Sequence, residues 1–319
     1  MPHEDKALER GLRELTSTDP VQALIAQDAR RARREYPLTV LAGPMFGVAE
    51  EVGEDWRVIS LGEATPQCSR DDLAGHLRME ARTAADPEPY LAAAHVLDWE
   101  RHDELVVAGR RFRIIRVEQV LRMNLGEPEP PRPTDPDPRT PPPHRPEVLR
   151  LPAGAHGPET ELELAVRFAE AIEYPGAPRE QARADARRAL DSHPVPVPMA
   201  PAFSVAEYLH DGWRSATAAC PTPQRARECL AEYLQQVAPS VERADKATRA
   251  AYREAAWRLI TTRLDALEVR GRRFRIVRLE KVARFGEDGP ETPRPSDFDP
   301  DPPVEVLALQ LRAEGLLDD

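Results

Sequence analysis

The chain has 319 residues, of which 41% are hydrophobic and 31% are charged, and its formal net charge is -11. This length is typical of two domains, and the composition is typical of a globular protein. The excess of acidic residues argues against a protein that coats nucleic acid or binds a membrane surface through basic residues. No apolar stretch is long enough to cross a membrane, and the first residues do not resemble a signal peptide. We therefore expect a cytoplasmic protein.

The 34 prolines are concentrated in two segments, with 10 of them in residues 128–146 and 6 in residues 290–303. Such segments are typical of extended, polyproline-like chain. Aligning the two segments reveals an internal repeat, because residues 103–138 and 265–300 are identical at 21 of 36 positions without a gap. The sequence therefore predicts a tandem duplication.

Weaker matches extend the repeat upstream, where residues 28–67 align with residues 185–224. The shift between the copies changes from 157 to 162 residues, which predicts a five-residue insertion after Leu234, between two helices. We expect an α+β fold in which the two units pack about a pseudo-two-fold axis. The predicted parts are an N-terminal helical extension (1–17), a first unit with a proline-rich tail (18–152), a linker (153–174) and a second unit with a proline-rich, acidic tail (175–319).

Each unit is predicted to contain a helix, a strand pair, two helices, a hairpin and a tail. In the first unit a helix over Pro20–Glu35 follows an acidic cap, a common helix start before proline. Phe46 and Trp56–Ile59 predict strands, although the matching Ser204–Leu209 could also start a helix. Further helices are predicted to start at Pro66 and Pro223, each after a threonine cap, and to cover Pro87–Arg101 and Val241–Leu264.

A β-hairpin is predicted in each unit around the sequence Gly-Arg-Arg-Phe-Arg. With Gly109-Arg110 as a two-residue turn, Val107 lies opposite Phe112. The second unit has the same pattern around Gly271, and each hairpin has one apolar face that places Phe112 or Phe274 in the core. The two hairpins also carry six arginines, namely Arg110, Arg111, Arg113, Arg272, Arg273 and Arg275.

These six arginines have two interpretations. A strand presents alternate residues on one face, so they could bind anions or nucleic-acid phosphates. The net charge of the chain opposes this interpretation, and aromatic side chains that point into the core cannot stack on bases. The favoured interpretation is a solvated face paired with nearby acids, such as Glu268 directly across from Arg275.

Arg116 and Arg278 differ from the other arginines, because alternation along the strand directs them toward the apolar face. A buried arginine needs a carboxylate partner. Glu50 and Glu207, which occupy matching places in the two units, are the candidates. We therefore expect the pairs Arg116–Glu50 and Arg278–Glu207, as structural pairs rather than as ligand sites.

Trp56 and Trp213 also occupy matching places, and both are expected to fill the core, since a tryptophan buries a large apolar body and needs only one acceptor. The proline-rich tails are expected either to link the halves or to wrap over the partner half, and wrapping is favoured for the tail of the first unit. Within them, Glu147–Leu151 predicts an added edge strand, and Glu305–Leu309 predicts a matching strand at the end of the second unit.

Two acidic or histidine patterns could suggest a metal site. His95, Asp98 and His102 could share one side of a helix, but Trp257 and Leu264 replace the histidines in the second unit, so surface residues are the favoured interpretation. The alternating acids of the tails lack the glycine and the final acid of a calcium loop, and we interpret them as a solvated linker. These acids are Asp135, Asp137, Asp297, Asp299 and Asp301. We expect no metal and no cofactor.

The block from Pro44 to Glu50 followed by Trp56-Arg57, the Gly-Arg-Arg-Phe-Arg hairpin and the Pro-Arg-Pro-Thr-Asp tail together resemble an uncharacterised actinobacterial family, catalogued only as a domain of unknown function. The resemblance covers most of each unit and implies that both copies belong to the family. Of the 44 basic residues, 41 are arginine, as expected from a high-GC genome. The resemblance implies no catalytic residues.

The phosphate loop, the dinucleotide fingerprint, the zinc-protease motif and the serine-hydrolase elbow are all absent from the sequence. Cys68, Cys220 and Cys229 form no CxxC pair, which argues against a disulfide framework or a cysteine zinc site. The leading hypothesis is a non-enzymatic protein-binding or scaffold protein that acts on another protein through the groove between the halves. The first alternative is an anion- or nucleic-acid-binding module that uses the hairpin arginines.

A second alternative is an enzyme with an unrecognised site at the interface of the two repeats. Such a site could pair a carboxylate with a histidine, as general acid–base chemistry requires. The candidate residues are Glu50 or Glu207 with His76 or His210.

Overall fold

The fold comes from a computed structural model that describes residues 20–140, 146–150, 178–210 and 212–317. The first half, up to residue 150, contains α1 (Pro20–Glu35), β1 (Leu38–Val52), β2 (Asp55–Glu63), α2 (Pro66–Ala81), α3 (Glu88–Trp99), β3 (Glu104–Val107), β4 (Arg110–Met123) and β5 (Val148–Leu149). The second half, from residue 178, contains α4 (Arg179–Ser192), β6 (Val195–Leu209), β7 (Gly212–Ser215), α5 (Pro223–Glu232), a π-helical turn (Tyr233–Val237), α6 (Ala238–Val241), α7 (Lys246–Thr262), β8 (Ala266–Val269), β9 (Arg272–Gly286), β10 (Gly289–Pro290) and α8 (Val304–Ala313).

The ten strands form one antiparallel sheet, in the order β5-β2-β1-β4-β9-β6-β7, with β3 paired to β4 and both β8 and β10 paired to β9. Helices and an antiparallel sheet occupy separate segments of the chain, so the predicted α+β class is confirmed. In the described residues, no helix has both the length and the apolar character that a membrane span requires.

The two halves meet at the centre of the sheet, where β4 pairs with β9. Gln119 lies opposite Lys281, Val117 opposite Ala283, and Leu121 opposite Leu279. Gln119 and Lys281 are also the residues that the 162-residue shift aligns. The pairing of β4 with β9 is therefore symmetric about the aligned residues Gln119 and Lys281.

Three apolar clusters hold the sheet in place. Phe112 packs under α2 and α3, and Phe274 packs under α5 and α7, as predicted. The third cluster lies at the centre of the sheet and draws on both halves. Its buried members are Met45, Ala49, Trp56, Val58, Ile115, Val117, Leu149, Val197, Ala283 and Phe285. Because this cluster draws on β4 and β9 residues, the halves share a core.

Two helix starts follow the sequence signals closely, whereas the helix predicted over Val241–Leu264 begins only at Lys246, after an Asp245 cap. The side chain of Thr65 accepts a hydrogen bond from the backbone N–H of Cys68 at 3.3 Å, and that of Thr222 accepts one from Arg225 at 3.2 Å. A proline occupies the first turn in both helices, where its missing N–H has no cost. Residues 204–209, for which a helix start was the alternative, continue strand β6.

The predicted hairpin register is wrong by two residues. Leu105, not Val107, lies opposite Phe112, and the turn residues are Ala108 and Gly109. Both have positive φ, 50° and 77°, as a type I′ turn requires. The same shift places Glu268 opposite Arg273 rather than Arg275. Sequence alternation gave the correct faces because a shift of two preserves them.

The two tails end differently. Val148 and Leu149 form an edge strand, β5, but they pair with β2 of their own half and not, as was expected for the tail, with the partner half. Residues 305–309, predicted as a matching strand, lie instead in helix α8, which packs against α3. Val304, Leu307 and Leu311 recur at helical spacing after Pro303, which favours a helix over an alternating strand. The second half therefore has no strand equivalent to β5 among its described residues.

Candidate functional site

Arg116 and Arg278 are buried, as alternation along the strand predicted, with 4% and 9% of their surfaces exposed. Arg116 donates to Glu118, and its Nε lies 3.0 Å from both carboxylate oxygens of Asp297. Arg278 donates to Glu280 at 3.0 Å, and its Nε lies 3.1 Å from both oxygens of Asp135. The two arginines thus have matching pairs of carboxylate partners.

The predicted pairs with Glu50 and Glu207 are wrong. Glu50 lies opposite Phe112, whereas Arg116 lies opposite Phe46, four residues away along β1. That separation is about 13 Å along a strand, beyond the reach of one ion pair. Glu50 instead accepts from Arg57 and, at 2.7 Å, from Arg110.

In the second half, Glu207 lies opposite Phe274 in the strand pairing. It binds the guanidinium of Arg272 through two contacts of 2.7 and 2.9 Å. Arg272, which aligns with Arg110, therefore pairs with Glu207 as Arg110 pairs with Glu50.

The tail acids bind arginines of the opposite half. Asp137, from the first tail, contacts Arg227 at 2.8 Å, and Asp299, from the second tail, contacts Arg70 at 2.7 Å. Asp301 contributes its carbonyl oxygen to Arg101 at 2.7 Å. Their interpretation as a solvated linker is wrong, because the buried arginines need acceptors and the tails supply them.

Burial raises the pKa of Asp297, whereas the arginines of the buried clusters lower the pKa of the two glutamates. Burial alone would raise the pKa of Glu118, but Arg116 and Arg294 outweigh it and lower that pKa. Burial likewise would raise the pKa of Glu280, and the nearby arginines, first Arg122 and Arg278, lower it. Both carboxylates therefore remain ionised at neutral pH as structural ion pairs.

The hairpin arginines of the first half are neutralised by acids. Arg110 binds Glu80 at 2.6 Å in addition to Glu50. Arg111 binds Glu104 at 2.7 Å and Asp288 at 2.9 Å. Arg113, buried, binds the same two acids.

The hairpin arginines of the second half are paired in a similar way, with one difference. Arg272 binds Glu207 and, at 2.7 Å, Glu242, while Arg275 contacts Glu127. Arg273 is the most exposed of the six, with 47% of its side chain accessible, and lies 3.6 Å from Glu127. The predicted pairing with nearby acids is thus observed, whereas the prediction of a solvated face is wrong for Arg113, which is buried.

The two matching tryptophans have different surroundings. Trp56 is buried at 4% exposure, as predicted, under Leu149 of β5 and against Gly289, where a Cβ would lie 2.7 Å from the indole ring. Trp213 is only half-buried, so the prediction that it fills the core is wrong. Its indole N–H donates to the carbonyl of Gly126 at 2.8 Å.

Trp213 belongs to a row of side chains across β7, β6 and β9. Tyr208 lies opposite both Trp213 and Arg273 in the strand pairing. The Arg273 guanidinium stacks 5.0 Å from the Tyr208 ring centre and 5.8 Å from that of Trp213. We call these three residues the Trp213 row. A cavity of about 180 Å³ adjoins it, lined by Glu127, Trp213, Ala266, Leu267, Glu268, Arg273, Phe274 and Arg275.

The sheet ends at β7 on this side, within the described part of the chain. At the other end, β5 covers β2, with Leu149 opposite Trp56 and the N–H of Val58 donating to the Glu147 carbonyl at 2.8 Å. The 157-residue shift aligns Val58 with Ser215, which is exposed. The N–H of Ala216 donates inward to β6, so that of Ser215 points outward along the open edge.

The histidine and acid pattern on α3 does not form a shared site. The helix ends at Trp99, before His102, whose Nε2 lies 2.8 Å from Glu100. Asp98 binds Arg78. Within the described ranges, no three His, Cys, Asp or Glu side chains are arranged to hold a metal ion.

His76 and His210 were the histidines of the enzyme hypothesis. His76 lies 3.8 Å from Glu80, and its ring packs edge-on to Phe112. Burial is the main cause that lowers the pKa of His76. His210 is exposed, while the carboxylate of Glu207 is held by Arg272. The cavity beside the Trp213 row contains no histidine.

The described residues define an α+β protein with one continuous antiparallel sheet, buried arginine–carboxylate clusters and a sheet edge at β7 beside a half-buried tryptophan. The chain belongs to the family of unknown function DUF5954, whose model matches residues 19–300. No curated protein and no solved structure was found to match the chain.

Proposed function

We propose that the chain is a tandem duplication of one α+β unit arranged about a pseudo-two-fold axis, and that it acts as a non-enzymatic, protein-binding protein of the cytoplasm. The identity of 21 of 36 positions supports the duplication. The symmetric pairing around Gln119 and Lys281 supports the axis. Free cysteines support a reducing compartment, and the dominance of arginine over lysine supports an actinobacterial, high-GC source.

The observation that carries the protein-binding proposal is the difference between the two sheet ends. In the first half, the chain itself adds β5 to β2 and buries Leu149 against Trp56. In the second half, the matching strand β7 is an edge of the sheet that the described residues form, and Trp213 is half-buried. Unpaired edge groups next to an aromatic side chain are typical of sites that bind an extended peptide by strand addition. An extended segment of a partner protein would occupy β7 as β5 occupies β2.

The chemistry of the Trp213 row suggests which peptide fits. By analogy with Leu149, a large aliphatic side chain would face Trp213. The exposed guanidinium of Arg273 has its nearest carboxylate at 3.6 Å, so an acidic side chain of the peptide would strengthen its neutralisation. We therefore propose an extended segment with a leucine-like residue and a neighbouring acid.

A selection from displayed random peptides on the full chain tests the proposal. The selected peptides should share an aliphatic residue next to an acid. Trp213→Ala removes the packing surface. Ser215→Pro removes the outward N–H without breaking a backbone hydrogen bond to β6, because an edge strand tolerates proline on its solvent side. Both variants should lose binding by more than about tenfold, equal to about 1.4 kcal/mol.

Trp257→Ala is the matched control, since Trp257 is also an exposed tryptophan, on α7, with 65% of its surface accessible. It should bind the selected peptides as the unchanged protein does. Equal binding by all variants, or enrichment of no peptide above the level of Trp213→Ala, would contradict the proposal.

The anion-binding alternative has weaker support from the contacts. Five of the six hairpin arginines have side chains no more than 26% exposed and are paired with acids. We therefore expect the protein to leave a heparin column at low salt. Retention that falls steeply with salt concentration would instead favour phosphate binding.

A further inference from the structure

Two cysteines of the second half lie in contact. The Sγ atoms of Cys220 and Cys229 are 3.6 Å apart. Cys220 is buried and is fixed to β6 by two backbone hydrogen bonds with Phe203, of 2.8 and 2.6 Å. Cys229 is partly buried on α5. Cys68, the third cysteine, lies on α2 in the first half.

We propose that Cys220 and Cys229 are a modification site that closes to an intramolecular disulfide under oxidising conditions. A disulfide needs the sulfur atoms about 2 Å apart, and small side-chain rotations cover that change from van der Waals contact. The aligned positions of the first half are Glu63 and Asp72, so the pair belongs to the second half alone. This proposal does not depend on peptide binding at β7.

The surroundings assign different roles to the two sulfur atoms. Burial raises the pKa of Cys220 to about 12, so it is a thiol at neutral pH. Arg225 opposes this rise, and Glu228 adds to it. Cys229 is the more accessible of the two residues. Cys229 is therefore the first to attack, because a small disulfide reaches it more readily than it reaches the buried Cys220.

The oxidant is a low-molecular-weight disulfide such as oxidised glutathione. The Cys229 thiolate attacks one sulfur of that disulfide, forming a mixed disulfide and releasing one thiolate, which takes up a proton. Cys220 then attacks the Cys229 sulfur as its own proton passes to solvent, and the second small thiol leaves. The protein loses two hydrogen atoms, and the small disulfide becomes two thiols.

The test treats the full chain with oxidised glutathione at neutral pH, then denatures it in N-ethylmaleimide and measures its mass. We expect the loss of two hydrogen atoms and one maleimide adduct, on Cys68. After trypsin, the peptides 215–225 and 228–243 should be joined. Three maleimide adducts, or a joined peptide that contains Cys68, would overturn the proposal.

Single substitutions test the order of the steps. Cys220→Ser should hold a stable glutathione adduct on Cys229, because the resolving thiol is missing. Cys229→Ser should gain no adduct on the buried Cys220, and Cys68→Ser should form the disulfide as the unchanged protein does. An unchanged circular dichroism spectrum confirms that each variant folds. A glutathione adduct that persists on Cys229 while Cys220 is present would contradict the proposal.

Discussion

Arg116 shares its buried site with the carboxylates of Glu118 and Asp297. Taking these charges out of water is unfavourable, and their mutual attraction offsets that cost only while every partner is present. The sequence indicated that Arg116 is buried, because alternation along a strand is local. It did not indicate the partner, since Asp297 is 181 residues away in the chain.

Removing one tail carboxylate should destabilise the protein strongly. Asp297→Asn and its counterpart Asp135→Asn each leave a buried arginine undercompensated, and we expect a loss of about 3 kcal/mol in unfolding free energy. Urea unfolding followed by circular dichroism measures it. Asp55→Asn, which breaks the exposed pair with Arg150, is the matched control and should change little. Equal losses in all three variants would contradict this account.

His76 should make stability depend on pH. Burial lowers its pKa below the ordinary 6.5, although Glu80 and Glu50 oppose the shift. The unfolded chain then binds the proton more readily, so stability should fall as the pH decreases through about 6.5. His76→Tyr introduces the residue found at the aligned Tyr233 and should reduce that slope. Urea titrations between pH 5 and pH 8 measure the change of unfolding free energy with pH. The slope is ~2.303RT for each proton that the unfolded chain binds in excess of the folded chain. An unchanged slope would exclude His76 as a cause.

At the scale of elements, local signals were sufficient for the helices that begin with a threonine cap and insufficient for turns and tails. A threonine before proline fixed the starts of α2 and α5, because the cap and the first turn involve adjacent residues. The hairpin turn was misplaced because glycine is acceptable at either central position of a two-residue turn. The local pattern does not reveal that Ala108 adopts left-handed backbone, with φ 50°.

A substitution in the Ala108-Gly109 turn should stabilise the protein. Ala108 adopts left-handed backbone, which disfavours residues with a Cβ other than asparagine and aspartate. Ala108→Asn creates the Asn-Gly pair that type I′ turns prefer and should raise the unfolding free energy by about 1 kcal/mol. The shift of the urea midpoint at constant slope measures it.

Val106→Asn, exposed in the neighbouring strand, serves as the control for the turn substitution and should bring no gain. Arg270 holds the same position in the second hairpin, with φ 53°. Arg270→Asn should therefore stabilise as well. A loss of stability in both turn variants would show that the turn is not limited by backbone conformation.

At the scale of the molecule, each half supplies acids to the other. The first tail binds Arg278 and Arg227, and the second tail binds Arg116 and Arg70. The central apolar cluster also draws on both halves. The repeat predicted that the two segments are similar, but the crossing of the tails depends on pairs 90 or more residues apart, which no local pattern encodes.

The halves should therefore unfold as one cooperative unit. Hydrogen exchange of the full chain at rising urea concentrations, followed on peptides from β1 and β6, should give one midpoint for both. Asp135→Asn should lower both midpoints together. Two well-separated midpoints would show that the halves are independent domains.

The open edge at β7 was not visible in the sequence. Trp56 and Trp213 align, and the exposure of Trp213 follows from a strand that is present beside β2 and has no described counterpart beside β7. The signals that could have indicated it are the exchange of Val58 for Ser215 and the helical spacing from Val304 onward. Both acquire meaning only once the order of strands is known.

Hydrogen exchange of the full chain with and without a saturating selected peptide tests the central claim most directly. Strand addition should slow exchange at the backbone amides of residues 212–216 and leave β2, already covered by β5, unchanged. Slowed exchange confined to other elements, or no slowing in β7 when the peptide is bound, would contradict the proposal that this edge is the binding site.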